Sequence, residues 1–239
     1  MSTFVLVHGT GCGGWIWQKV APLLRAAGND VYTPTLSGLS DRSHLLACGV
    51  DLTTHITDVV NLLTYEDLSD VVLVGNSYAG MVITGVAASI PERLKLLVYL
   101  DAYLPDPGQS EADLWPPEVR AAAEAEARAS GGLRQPPPPA VLAIPDPETL
   151  AWVAARLSPQ PMATYTQPVS AGNAATAALQ RAFIHCTKGP VTTPVFGVFA
   201  AKAREKGWPV RELATGHAAM LTAPLEVAEL LTELTTLDK

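Results

Sequence analysis

The 239-residue sequence predicts an α/β fold, with a doubly wound and mainly parallel sheet of six strands and a helical cap inserted after the fourth strand. Short runs of apolar and β-branched residues alternate with amphipathic helical segments, as in parallel βαβ units. Hydrophobic residues form 48% of the chain and charged residues 16%, which indicates a globular protein with a well-filled interior. One proline-rich region interrupts the alternation and is assigned to the cap.

Six segments are predicted as strands because each is a short apolar run next to a turn or loop. The third is continuously apolar and β-branched, which is typical of a strand buried on both faces of a sheet. The predicted strands are Phe4–Val7, Val31–Tyr32, Val71–Val74, Leu96–Leu100, Ala182–His185 and Val210–Leu213.

Helices are predicted where apolar residues recur at helical spacing. The first such segment ends at Gly28, and the second can be capped by Asp51 or Thr53. The predicted core helices are Trp15–Ala27, Asp51–Glu66, Ala79–Ser89 and Pro224–Leu234.

Residues 105–180 are predicted as the cap, and residues 1–104 and 181–239 as the core of the same domain. The cap sequence has two helical stretches, Glu118–Ala129 and Thr149–Leu157, and no convincing strand. Large apolar residues in this region, Trp115, Trp152, Met162 and Tyr165, disfavour a flexible linker. Trp115, Trp152 and Tyr165, together with Gly9 in the core, are predicted to contact a hydrophobic substrate.

The overall charge restricts the classes of partner. The formal net charge is −7 and no run of Lys or Arg occurs, so nucleic acid and anionic membranes are not expected partners. No apolar stretch is long enough to span a membrane, and the N-terminus lacks the basic start of a signal peptide. We predict a cytoplasmic protein that binds a small molecule and that could form a homodimer.

The three cysteines, Cys12, Cys48 and Cys186, are scattered and odd in number. They do not form a disulfide framework, and this is consistent with a reducing compartment. Cys12 could be a catalytic thiol, although a small semi-buried side chain is the simpler interpretation.

Residues 74–80 read Val-Gly-Asn-Ser-Tyr-Ala-Gly, where the third predicted strand ends and a helix begins. A serine in such a sharp turn presents its hydroxyl group at the carboxyl edge of the sheet, and its neighbours two positions away must be small. Gly75 and Ala79 satisfy this condition. The context predicts that Ser77 is a nucleophile.

Residues 8–15 read His-Gly-Thr-Gly-Cys-Gly-Gly-Trp and directly follow the first predicted strand. A loop at this place supplies one backbone N–H of an oxyanion hole, and the residue after the nucleophile supplies the other. Thr10 and Tyr78 are therefore the predicted donors. Phosphate-binding Gly-rich patterns do not fit the segment.

His217 follows the last predicted strand, so the chain order is serine first and histidine last. A neutral imidazole can take the serine proton and return it to a leaving group. Of the other histidines, His8 is predicted to be structural, and His44 and His55 to lie in surface segments. His185 is the main rival, but it lies on the wrong strand for the base.

These segments, with Ile-His-Cys-Thr at 184–187, resemble the methylesterase and hydroxynitrile-lyase group of the α/β-hydrolases. That group includes plant methyl salicylate esterases and bacterial esterases acting on carbamates and pyrethroids. The resemblance spans the chain and is weakest in the cap. It implies an α/β-hydrolase fold, an active site under the cap and no cofactor or metal.

The resemblance also separates two activities. The similar lyases carry a threonine after the first-strand histidine and a lysine after the catalytic histidine, where this chain has Gly9 and Ala218. Without those side chains, cyanohydrin cleavage lacks its charge partner. Hydrolysis through an acyl-enzyme is the better interpretation.

The carboxylate that should orient His217 is missing from its expected place. Relatives carry an aspartate in the loop after the fifth strand, and the corresponding residue here is Gly189. Asp101, at the end of the fourth strand, could replace it or could be structural. Asp106 is a weaker choice, and Glu212 is expected to point elsewhere. A Ser–His dyad and a non-catalytic homologue are the remaining alternatives.

Together the motifs predict a serine esterase that hydrolyses a small hydrophobic or aromatic ester or carbamate, with a methyl ester or methyl carbamate favoured. The alternatives are a homologue that binds a ligand without turnover and, less favoured, a hydroxynitrile lyase.

Overall fold

The computed structural model describes residues 1–170, 172 and 174–236, except for the side chains at positions 47, 48 and 193. Its centre is a six-stranded sheet with the strand order β2-β1-β3-β4-β7-β8, in which all neighbouring strands are parallel. The predicted α/β fold class is confirmed.

The six predicted strands all occur, and several are longer than predicted because their ends are polar. Two further strands of two residues each pair antiparallel within residues 105–180, where no strand was predicted. The strands are β1 Thr3–Val7, β2 Asp30–Tyr32, β3 Val71–Ser77, β4 Leu94–Ala102, β5 Leu133–Arg134, β6 Gln160–Pro161, β7 Gln180–Cys186 and β8 Val210–Leu213.

Helices pack on both faces of the sheet. The α-helices are α1 Ala21–Ala26, α2 Leu52–Tyr65, α3 Ala79–Ser89, α4 Pro117–Ala129, α5 Pro147–Ala154, α6 Ala163–Thr166, α7 Ala174–Ala178, α8 Gly197–Glu205, α9 Ala219–Thr222 and α10 Pro224–Leu234. Short 3-10 helices span Gly14–Trp17, Ser40–Cys48, Pro91–Arg93, Ala112–Leu114 and Pro139–Leu142, and a π-helix spans Thr192–Phe196.

Local sequence sets the starts of two of the predicted helices. The predicted helix Trp15–Ala27 is a 3-10 turn followed by the shorter α1, because Pro22 lies in the first turn of α1 and favours a new helix start there. The prediction of α2 is confirmed, and the Asp51 side chain accepts a hydrogen bond from the Thr54 N–H at 2.8 Å as its cap. No helix was predicted over α8.

The core has two layers, one on each face of the sheet. Alternate residues of one strand enter different layers: Leu73 packs with α2 and α3, whereas Val72 and Val74 pack with α1 and α10. This arrangement brings the carboxyl ends of the parallel strands to one edge, where loops carry the polar residues described below.

No helix in the described part of the chain is long and apolar enough to cross a membrane. Cys12 and Cys186 are buried free thiols, and the Cys48 side chain lies outside the described part.

Candidate active site

Ser77 is the last residue of β3 and has a φ of 56°, the left-handed conformation that a sharp strand-to-helix turn imposes. The turn leaves little space. A Cβ atom at Gly75 would lie 2.7 Å from the Ala79 carbonyl oxygen. A glycine two positions before Ser77 is therefore required by contact across the turn, as the sequence pattern indicated.

The loop after β1 lies against the same turn. A Cβ atom at Gly9 would lie 2.9 Å from the Ser77 Cβ atom. The Gly11 N–H donates to Gln160 Oε1 at 3.1 Å, and the Gly11 carbonyl accepts from the Ser158 N–H at 2.8 Å. Residues near β6 in the cap therefore hold this loop, which places Thr10 in the wall of the cavity that contains Ser77.

His8 is fully buried and structural, as predicted. Its Nε2 accepts from the Leu36 N–H at 3.1 Å, so its Nδ1 carries the proton and donates to the Gly9 carbonyl at 2.9 Å. Burial lowers the pKa of His8 to about 4, and the hydrogen bond to Gly9 partly opposes this effect. His8 is therefore a neutral side chain that connects two loops by hydrogen bonds.

The prediction that His55 lies in a surface segment is wrong, although His44 is exposed. The His55 Nε2 donates to the Ser37 carbonyl at 2.9 Å, and its Nδ1 accepts from the Tyr78 hydroxyl at 2.8 Å. Burial lowers the pKa of His55 to about 4. These contacts fix Tyr78, whose backbone N–H directly follows Ser77 at the start of α3.

Asp101 is brought to the site by an irregularity in the sheet. Asn76 pairs with Leu100 and Ser77 pairs with Ala102, so Asp101 is an extra residue in β4. Its φ is 44° and its side chain is fully buried. The bulge turns the carboxylate toward the neighbouring strand β7 and the loop after β8.

The Asp101 carboxylate contacts two histidines. The His217 Nδ1 donates to Oδ2 at 2.7 Å, and the His185 Nδ1 donates to Oδ1 at 3.2 Å. Oδ1 also accepts from the Cys186 N–H at 3.2 Å. With Nδ1 held by Asp101, the free nitrogen of the His217 ring is Nε2.

Phe196 stacks on the face of the His217 ring, with the two ring centroids 4.6 Å apart and the planes 8° apart. Packing on a flat ring limits rotation of the imidazole. Sequence reasoning missed this contact, because Phe196 lies in a short π-helix with no recognisable motif.

The other acids considered from the sequence lie elsewhere. Asp106 pairs with Lys202 at 2.9 Å, and Glu212 forms an ion pair with Arg204. Gly189 has a φ of 119°, and a Cβ atom there would lie 2.9 Å from the Ala143 Cβ atom. The position where the acid was expected thus lies where the loop after β7 packs closely against the cap.

Ser77 and His217 open into one cavity of about 560 Å³ between the sheet edge and the cap. Its wall is mainly apolar and includes Gly9, Val141, Leu142, Val195 and Phe196. Cys12 also lines it, but burial raises the pKa of the thiol to about 12, so it stays protonated at neutral pH.

Three predicted substrate contacts are corrected. Trp115, Trp152 and Tyr165 do not line this cavity. Trp152 packs edge-on against Trp15, with ring centroids 5.0 Å apart, and Tyr165 packs between Trp115 and Tyr78. These large rings fill the space between the cap and the core, a packing role that composition alone does not distinguish from substrate binding.

Two polar residues of the cavity wall were also missed. Tyr103 and Glu111 follow β4 and face the cavity from the start of the cap. A carboxylate nine positions after the end of a strand has no spacing signal that could have identified it. No group of three or more His, Cys, Asp or Glu side chains in the described part of the chain could hold a metal ion.

Comparisons with known proteins agree with this geometry. The model of the alpha/beta hydrolase family matches residues 4–230. A carbendazim hydrolyzing esterase from Nocardioides sp. (strain SG-4G) is 41% identical over 244 residues, covering 98% of this chain and 100% of the relative. Methylesterase 1 from Arabidopsis thaliana is 35% identical over 114 residues, which are 43% of this chain and 40% of the relative.

Among solved structures, an extracellular alpha/beta-hydrolase from a Paenibacillus species superposes with a TM-score of 0.83 at 25% identity, covering 98% of both chains. A pyrethroid hydrolase superposes with a TM-score of 0.75 at 20% identity, which supports the fold. The sheet, the site at its carboxyl edge and the match over almost the whole chain lead to one conclusion: this protein belongs to the alpha/beta hydrolase family.

Proposed function

We propose that this esterase of the alpha/beta hydrolase family hydrolyses small hydrophobic or aromatic esters and carbamates through a covalent intermediate on Ser77. The observation that carries the proposal is the 2.7 Å hydrogen bond from His217 Nδ1 to the buried Asp101 carboxylate. This bond leaves Nε2 as the basic nitrogen in the cavity that also contains Ser77.

In the proposed reaction, Ser77 Oγ attacks the substrate carbonyl carbon while His217 Nε2 takes the hydroxyl proton. Asp101 stabilises the resulting imidazolium. The negative charge on the carbonyl oxygen is held by the backbone N–H groups of Thr10 and Tyr78. Hydrogen bonds fix the segments that carry these two N–H groups. Gln160 in the cap binds Gly11, next to Thr10, and His55 binds the Tyr78 hydroxyl.

The tetrahedral intermediate collapses when its bond to the leaving group breaks and His217 returns the proton to the departing alcohol or amine. Water then attacks the carbonyl carbon of the acyl, carbamoyl or alkoxycarbonyl group on Ser77, with His217 again as the base, and Ser77 is released.

The wall of the cavity supports the substrate class. Apolar side chains surround Ser77, and a cavity of about 560 Å³ suits a substrate with one or two rings. The similarity to a carbendazim hydrolyzing esterase and to a methylesterase favours a methyl carbamate or methyl ester.

The space around the nucleophile supports hydrolysis over cyanohydrin cleavage. Gly9 lies so close to Ser77 that an added side chain would crowd the nucleophile, and Ala218 is buried and carries no charge. Neither position offers the polar group that the resemblance assigns to the lyases.

The test is active-site labelling together with turnover. A fluorophosphonate probe should label the wild-type protein and the Ser43→Ala control, in which the exposed serine is changed, but not Ser77→Ala. Ser77→Ala should lose about 10³-fold or more in the rate of p-nitrophenyl acetate hydrolysis. Full hydrolysis by Ser77→Ala would refute the proposal, and ligand binding without labelling would favour a non-catalytic homologue.

A further inference from the structure

Glu111 is a buried carboxyl group in the wall of the cavity, and the proposed reaction does not use it. The residue precedes the 3-10 helix Ala112–Leu114 and is 2% exposed. Its Oε1 accepts from the Trp115 Nε1 at 3.2 Å, whereas Oε2 has no hydrogen-bond partner among the described residues. A buried carboxyl oxygen without a partner is costly, so its presence in a ligand cavity calls for a functional reason.

No ion pair within the described part of the chain neutralises the Glu111 carboxyl group. The Arg134 guanidinium lies 4.5 Å over the Trp115 ring and 5.2 Å over the Tyr165 ring, and it also lines the cavity. The Tyr103 hydroxyl is 3.1 Å from the same Trp115 Nε1 that reaches Glu111. The aromatic side chains thus hold both Arg134 and one oxygen of Glu111, and the second oxygen has no partner among the described residues.

Burial raises the pKa of Glu111 to about 8, against the opposing effects of Arg134 and the Trp115 N–H. The side chain is therefore mainly a neutral carboxylic acid at neutral pH. Because Trp115 donates to Oε1, this oxygen is the carbonyl and Oε2 carries the proton. The group then offers one O–H donor next to one acceptor with a spare lone pair.

Such a donor–acceptor pair is complementary to a nitrogen acceptor separated by one carbon from an N–H donor. An acylated 2-amino-azaheterocycle has this arrangement: its ring nitrogen accepts from the O–H, and its carbamate N–H donates to the carbonyl oxygen. A plain aryl ester or carbamate of the same size lacks the ring nitrogen and leaves the buried O–H without a partner.

We propose that Glu111 is a specificity-determining residue that selects carbamates of 2-amino-azaheterocycles over carbocyclic substrates of equal size. This inference rests on the proposed esterase function. Ser77 and Glu111 line the same cavity, so one substrate can contact both.

The test compares two substrates of nearly equal size, methyl N-(pyridin-2-yl)carbamate and methyl N-phenylcarbamate, in three proteins. The quantity measured is the ratio of their kcat/KM values, relative to the wild-type ratio, which cancels the different intrinsic reactivities. Glu111→Leu removes donor and acceptor, and the ratio should fall at least tenfold, a loss on the scale of about one buried hydrogen bond. Glu111→Gln keeps one donor and one acceptor without charge, and it should hold the ratio within about threefold.

An unchanged ratio in Glu111→Leu would overturn the inference, and so would an equal fall in both variants. Failure of wild-type protein to hydrolyse the pyridyl carbamate would also overturn it. Fluorophosphonate labelling of Ser77 and hydrolysis of p-nitrophenyl acetate are measured in parallel. If they fail in the wild-type protein, the proposed function itself is wrong; if they succeed, only the role of Glu111 is rejected.

Discussion

Asp101 shows how a single residue can connect the sheet to His217. One carboxylate oxygen accepts from His217, and the other accepts from His185 and the Cys186 N–H. The carboxylate is therefore fixed in position by the neighbouring strand before any substrate binds. Its backbone conformation is one that L-amino acids rarely adopt, and the bulge in β4 maintains it.

The Asp101→Asn variant should fold and should lose about 10³- to 10⁴-fold in kcat. The asparagine oxygen would keep the contacts to His185 and Cys186, so its amide N–H₂ would face His217. That donor forces His217 Nδ1 to accept a hydrogen bond and puts the ring proton on Nε2, where it cannot take the proton of Ser77. Steady-state kinetics and the thermal unfolding midpoint measure the two parts of this prediction.

Asp106→Asn is the matched control, because Asp106 is a half-exposed carboxylate paired with Lys202, and it should keep wild-type kcat. Adding Gly189→Asp to Asp101→Asn should not restore activity, since a side chain at Gly189 meets Ala143 and needs a φ of 119°. Recovery of kcat in the double variant would mean that His217 is oriented from the Gly189 side.

Among the secondary structure elements, α3 packs closely against the segment that follows β4. A Cβ atom at Gly80 would meet the backbone of Tyr103, which also donates its N–H to the Ser77 carbonyl at 3.1 Å. The start of α3 therefore fixes the chain just after Asp101. Gly85, one turn later on the same helix, would instead meet the end of the flexible Ile56 side chain.

Gly80→Ala should lower the free energy of unfolding by about 2 to 3 kcal/mol, because a backbone segment must move to admit the methyl group. It should also lower kcat, since Tyr103 lies two residues after Asp101. Chemical denaturation and kinetics check the two effects.

Gly85→Ala is the control on the same helix. The Ile56 side chain can change rotamer, and alanine favours a helix over glycine, so stability should stay within about 1 kcal/mol of wild type. Equal destabilisation by the two substitutions would show that the contact with Tyr103 has no special weight.

Across the whole molecule, three buried titratable side chains give stability a defined dependence on pH. The pKa of His8 and that of His55 are lowered to about 4 from 6.5, mainly by burial. The pKa of Glu111 is raised to about 8 from 4.5, also mainly by burial. The histidines favour the folded state above pH 6.5 and lose this contribution as pH falls to 4. Glu111 favours the folded state below pH 4.5 and loses its contribution as pH rises to 8.

From these three groups we expect maximum stability near pH 6.5. Between pH 4.5 and 6.5 the unfolded chain binds about two extra protons on the histidines and about one fewer on Glu111, so stability rises with pH. Between pH 6.5 and 8 the Glu111 effect exceeds what is left of the histidine effect, and stability should fall by about 1 kcal/mol. Urea unfolding at a series of pH values measures both slopes.

Glu111→Gln removes the titrating group and keeps the shape of the side chain. This variant should show no decline between pH 6.5 and 8, and its rise below pH 6.5 should be steeper than that of the wild type because the opposing Glu111 effect is gone. If the decline persists in Glu111→Gln, another group is responsible for it.

The sheet and the positions of Ser77 and His217 at its edge could be predicted from local pattern. Apolar runs specify buried parallel strands, and the sharp turn around Ser77 needs small residues that the sequence displays. The roles of the large cap residues were harder to predict, because an aromatic residue in the sequence is equally consistent with packing and with substrate binding. Trp152 therefore matched the pattern of a substrate contact but packs on Trp15.

The sequence by itself determined that a serine at a strand end and a histidine after the last strand meet at one sheet edge, because parallel strands all end there. It left Asp101 as one of several possible acids, because a bulge and the direction of a side chain depend on pairing between strands distant in the chain. Only the tertiary structure decided that the cap packs against Gly189, that Asp101 reaches His217 and that one oxygen of Glu111 has no hydrogen-bond partner among the described residues. These are long-range contacts, which no short segment specifies alone.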